Sequence, residues 1–194
     1  LLHIVCLTVA AMLPAALQAA DTYSATLQAG DERAAAKEFD AALTEYDAAS
    51  RMAANETEKS LALAKKAMVF VSKEDYTAAK IAAEEALSIK EARAVAKVTA
   101  LQALASCQMK DDKDFEGATK TLGEAAELTG VSWAQPTTKL MLGDAQRMSG
   151  DFDSSIATYQ EVVGIPDAPT GSKAVAWLNI GLAQQYGLNN GDKA

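Results

Sequence analysis

Beyond Asp21 the apolar residues recur at intervals of three and four rather than two, which is the period of an amphipathic helix and not of a half-buried strand. Four segments then repeat one pattern of aromatic, small, large or small, small: Phe39-Ala42-Tyr46-Ala49, Tyr76-Ala79-Ala83-Ala86, Phe115-Ala118-Leu122-Ala125 and Phe152-Ser155-Tyr159-Val162. Successive aromatics stand 37, 39 and 37 residues apart. Within a segment the offsets place all four residues on one helical stripe, where a small second residue lets the neighbouring helix approach closely. A charged or glycine-bearing turn precedes each aromatic: Lys37-Glu38, Lys73-Glu74-Asp75, Asp111-Asp112-Lys113-Asp114 and Ser149-Gly150-Asp151. Another helical stretch lies before each turn. The pattern predicts an all-α chain built from helix, short turn, helix, in units at about 21–56, 57–91, 92–131, 132–169 and 170–194, the last incomplete. Packing of the small stripe residues sets a test: Ala79→Leu or Ala118→Leu should cost roughly 1–3 kcal/mol by overpacking, read as a lowered thermal midpoint, whereas Asp144→Ala is expected to leave stability nearly untouched.

The stretch Leu142-Gly143-Asp144-Ala145-Gln146-Arg147-Met148-Ser149-Gly150-Asp151-Phe152, continuing to Tyr159, resembles a tetratricopeptide repeat. That family's pattern runs W-x2-L-G-x2-Y, then A-x3-F, then P. Ala176-Trp177-Leu178-Asn179-Ile180-Gly181 is similar to its opening, with Trp177, Ile180 and Gly181 in register, and Pro166 sits near its closing proline. The Leu-Gly pair is replaced by Ala29-Gly30, Lys66-Ala67 and Leu104-Ala105 in the first three units, and Gln146 and Gln184 stand where the pattern has Tyr. The resemblance implies a right-handed α-solenoid of antiparallel helix pairs, of about four and a half repeats, whose first helices line a concave groove. Carried over unit by unit, it places Asp31, Met68, Gln102, Ser106, Asp144, Arg147, Asn179 and Gln185 on the groove side. The lysine and asparagine clamp for a C-terminal carboxylate is not found at these positions. A groove of mixed polar and apolar residues implies a protein or peptide ligand.

Residues 1–20 differ from the rest. LLHIVCLTVAAMLPAAL is a nearly uninterrupted apolar run, no formal charge precedes Asp21, and Ala19-Ala20 offer small residues for a peptidase. The expectation is a signal peptide, truncated at its N-terminus, and export to the periplasm, cell envelope or extracellular space. A retained membrane anchor and a buried N-terminal helix are the alternatives.

Charge and composition narrow the chemistry. Eighteen basic against 26 acidic residues give a net charge of −8, which argues against a nucleic-acid partner. About a fifth of the residues are alanine, an unusual share that favours close helix packing. Past residue 20 there is no histidine, and Cys107 is the sole cysteine. A Ser-His-Asp triad, a histidine zinc site and an internal disulfide are therefore excluded from that part. The glycine and lysine of Gly164–Lys173 miss the spacing of a phosphate loop, and no cofactor or metal is expected. The reading is a non-enzymatic scaffold. Two alternatives stay open: an accessory or positioning domain of a larger enzyme whose catalytic part lies beyond Ala194, and a self-associating structural solenoid.

Overall fold

Three aspartates turn the repeating pattern into helix pairs. The carboxylates of Asp75, Asp114 and Asp151 accept the backbone N–H of Ala78 (3.1 Å), Gly117 (2.8 Å) and Ser154 (3.1 Å), each satisfying an amide donor that a helix start leaves unpaired. Tyr76, Phe115 and Phe152 are then the first helical residues. The residue before each cap takes the left-handed conformation that reverses the chain: Glu74 at φ 61°, Lys113 at 57° and Gly150 at 91°. Lys37, at φ 61°, does the same in the first unit. There Glu38 occupies the cap position without capping, and its carboxylate pairs with Arg33.

The computed structural model describes residues 15–191 apart from residue 129, with side chains described over 22–187. The helices are α1 (Ala15–Ala35), α2 (Phe39–Met52), α3 (Glu56–Ser72), α4 (Tyr76–Ser88), α5 (Ala94–Cys107), α6 (Phe115–Glu127), α7 (Gln135–Ser149), α8 (Phe152–Gly164) and α9 (Thr170–Gly191). Among the described residues there is no strand. Each helix packs on the next, and first helices of adjacent units also meet, α3 on α5 and α7 on α9. The result is an all-α solenoid of consecutive helix pairs. Of the expected leader, residues 1–14 lie outside the described residues, and 15–20 are the opening turns of α1. No described helix is long and apolar enough to cross a membrane.

The longer second spacing, from Tyr76 to Phe115, has in part a local cause. Gln108–Asp112 extend α5 as a π-helical turn, and Asp114 N–H closes it on the carbonyl of Gln108, six residues back. Asp75, Asp151 and Glu38 close the corresponding turns over five residues, on Phe70, Gln146 and Arg33. One extra residue is thus absorbed within the helix, and Lys80 of α4 holds its acidic end through Asp111 (3.2 Å) and Asp112 (2.7 Å).

The core follows the stripe. Every small or large residue after the aromatic in the four segments is at most 2% exposed, from Ala42 to Val162. Ring and gap alternate across each pair. Gly30 on α1 faces Tyr46, and Gly143 on α7 faces Tyr159, so closely that a Cβ on either glycine would stand 2.6 or 2.5 Å from the ring. Where the second helix carries a smaller residue, the first carries alanine: Ala67 and Ala83 share one core cluster, Ala105 and Leu122 another. Volumes therefore complement pair by pair, as close packing requires. Ala79 and Ala118 are completely buried, which leaves no room for the leucine of the overpacking test.

Candidate functional site

In the first and fourth units the glycine that admits the tyrosine ring is followed directly by an aspartate. The ring lies across the helix, and its hydroxyl donates to that carboxylate: Tyr46 to Asp31 at 2.7 Å and Tyr159 to Asp144 at 2.8 Å. A second donor arrives from the first helix of the next unit. Lys65, 34 residues after Asp31, reaches both carboxylate oxygens at 2.7 and 2.9 Å. Asn179, 35 residues after Asp144, donates at 3.1 Å. Arg147 adds a longer contact to Asp144, 3.5 Å. Each aspartate thus ties three helices together. Burial, reinforced by the neighbouring carboxylate, pushes both tyrosine hydroxyls well above their ordinary range, so they remain donors.

This geometry corrects the expected neutrality of Asp144→Ala. Removing the carboxylate strips the acceptor from the hydroxyl of the fully buried Tyr159 and from the buried Asn179. Stranded buried donors cost about 1–3 kcal/mol. A urea titration of Asp144→Ala should show a loss of that size; an unchanged midpoint would mean that water replaces the carboxylate.

The eight residues expected in a groove separate into different roles. Asp144, Arg147 and Asn179 form the junction just described. Gln102 bridges to Thr138 of α7 at 2.9 Å, while Ser106 is buried and donates back to the carbonyl of Gln102 at 2.8 Å. Gln185 is exposed on α9. Asp31 and Met68 line one cavity of about 220 Å³, which opens where α1, α2, α3 and α5 converge. Its walls add Ala34, Phe39, Tyr46, Lys65, Val69, Ser72 and Thr99. The apolar side is thus Phe39, Met68 and Val69, and the polar side is Asp31, Lys65, Ser72 and Thr99. Lys65, Ser72 and Thr99 were absent from the sequence reading. One repeat of 37 residues added to Asp31 leads to Met68, and Lys65 stands one turn before it on α3, so the period alone did not single it out.

Among the described residues no three His, Cys, Asp or Glu side chains are placed to hold a metal ion. Cys107 is buried, its thiol contacts the carbonyl of Tyr76 at 3.7 Å, and burial pushes it up to about 11, the opposite of an activated nucleophile.

No family model matches the chain, and no curated protein does. Among solved structures it is similar to YrrB, described as a TPR protein with an unusual peptide-binding site, at 21% sequence identity and a TM-score of 0.57. The match covers 84% of this chain and 77% of that one. Capped helix pairs, the glycine-tyrosine contacts between them and this likeness lead to one conclusion: the chain has the fold of a tetratricopeptide-repeat α-solenoid.

Proposed function

We propose that the chain is a non-enzymatic scaffold that holds an extended peptide or protein segment against its first helices, in the cell envelope or outside the cell. The cavity below Lys65 and Met68 carries this reading. At about 220 Å³ it is smaller than the roughly 300–1,000 Å³ of small-molecule sites and suits one anchoring side chain of a longer ligand. Phe39, Met68 and Val69 offer that side chain an apolar seat, while Lys65, Ser72 and Thr99 stand beside it to hydrogen-bond a peptide backbone. The peptide-binding site named for YrrB supports the same class of ligand. Export rests on the leader-like character of residues 1–20.

Selection of a displayed peptide library on the full chain tests the site, with Met68→Lys and Ser72→Trp as counter-baits. Both positions lie off the aspartate-tyrosine junctions, whereas changes at Asp144 or Asn179 would weaken the fold along with any binding. Peptides retained by the parent and lost from equally stable variants are the expected result. Retention by both variants would overturn the site. Fractionation of cells that produce the protein from its native gene tests export, and a cytosolic product with residues 1–20 intact would overturn that part.

A further inference from the structure

The cavity beside Lys65 and Met68 has a neighbour on the same face of the first helices. This second cavity, of about 200 Å³, lies between Tyr23 of α1, the first turns of α3, and Arg93 and Val95 at the start of α5. The helical period puts both in one trough. On α1 Tyr23 lines the second cavity and Asp31 and Ala34 the first; on α3 Leu61 lines the second, and Lys65, Met68 and Ser72 the first; on α5 Val95 lines the second and Thr99 the first. The steps of three, four and eight residues keep each set on one face of its helix. Tyr23 and Asp31 are eight residues apart, about 12 Å along a helix. The chemistry of the second cavity is different. Tyr23, Leu61 and Val95 give it apolar walls, and the hydroxyl of the buried Tyr23 is spent on the carbonyl of Glu58 at 2.7 Å. The Glu58 carboxylate accepts the N–H of Ala54 at 2.8 Å. Asn55 Oδ1 accepts the N–H of Glu58 at 2.9 Å, which leaves the amide N–H groups of Asn55 as donors. Arg93 pairs with no carboxylate among the described residues. Two donors, one of them a permanent cation, thus stand beside apolar walls.

We infer that the ligand of this trough is an extended peptide with two anchors four residues apart, an apolar side chain in the first cavity and a glutamate in the second. The inference deepens the scaffold reading and rests on it. The apolar anchor sits against Phe39, Met68 and Val69. The glutamate lays its methylenes between Tyr23, Leu61 and Val95 and gives its carboxylate to Arg93 and Asn55, charge-assisted bonds being the strong ones. The spacing follows from two rises. Residues four apart in an extended chain point to the same side and span about 13 Å, which matches the distance between the cavities along α1. Anchors two apart span about 7 Å and fall short, while anchors six apart span about 20 Å and overshoot.

Labelled peptides of serine and threonine, acetylated and amidated at their ends, serve as probes. Each carries one glutamate and one leucine at a spacing of two, four or six, in both orders, and is titrated with the full chain by fluorescence anisotropy. In one of the two orders a spacing of four should bind about tenfold or more tighter than two or six, because only then do both anchors seat at once. Arg93→Glu in the chain should weaken that peptide by a similar factor and leave the thermal midpoint unchanged, since Arg93 holds no ion pair within the fold. Lysine in place of the peptide's glutamate should restore affinity to that variant and not to the parent. Met68→Lys keeps the two readings apart. Binding that is lost in Met68→Lys but indifferent to spacing or to Arg93→Glu would overturn the two-anchor ligand and leave the scaffold standing. Binding untouched by Met68→Lys would overturn both. If none of the peptides binds, the two-anchor ligand is overturned and the displayed library alone decides the scaffold. Tighter binding by a control peptide whose single carboxylate is its C-terminus would give the second cavity to a chain end and overturn the glutamate anchor.

Discussion

Tyr159→Ala is expected to lower the stability of the chain by about 3–5 kcal/mol, the range for deleting a buried aromatic ring. Three losses coincide. The side chain is fully buried, so its removal leaves a cavity. Gly143 has no Cβ to move into that space, and Asp144 loses its shortest hydrogen bond. Tyr159→Phe separates the contributions, because it keeps the ring and deletes only the hydroxyl; a cost of about 1 kcal/mol is expected. Urea titrations of both variants measure the difference. Equal costs would show that the Asp144 junction, not the ring, dominates. In a repeat array each unit contacts only its neighbours. Hydrogen exchange in Tyr159→Ala should therefore accelerate first in α8 and α9, while α3 and α4 keep their protection.

Gly143→Ala and Gly181→Ala should act in opposite directions although they are the same change at the same position of the repeat. At Gly143 the new methyl would stand 2.5 Å from the Tyr159 ring. The ring has no free space behind it, so overpacking of about 1–3 kcal/mol is expected. At Gly181 the methyl meets nothing within 4 Å. The ordinary advantage of alanine over glycine in a helix interior, roughly 0.5–1 kcal/mol, is then uncompensated, and the thermal midpoint should rise. A fall in both variants would mean that something covers α9 in solution.

The helix pairs were legible because their signal is local and redundant: an aromatic and three stripe residues four times over, preceded by an aspartate in three of the four. Each aromatic falls on the first turn of a second helix. The π-helical turn at Gln108–Asp112 was not legible, since one inserted residue leaves the helical period intact on both sides and changes only the distance between repeats. The partners of the aspartates were not legible for a different reason. Asp31 and Asp144 look like free groove carboxylates when helix α1 or α7 is considered alone. Their partners lie 15 residues away on the second helix and 34 or 35 away in the next unit. Such a junction is apparent only when two adjacent repeats are laid side by side. The cavity residues Lys65 and Thr99 belong to that same cross-repeat information.

The two aspartate junctions differ in one respect that reaches beyond stability. Asp31 is held from the next unit by a lysine, Asp144 by an amide. Added salt screens the first pair, whose side chains are 27% and 47% exposed, and has little purchase on the neutral donor. The array is therefore mechanically unequal along its length. Rising ionic strength should weaken the lysine contact across the joint between its first two units, beside the cavity, more than the amide contact across the joint before α9.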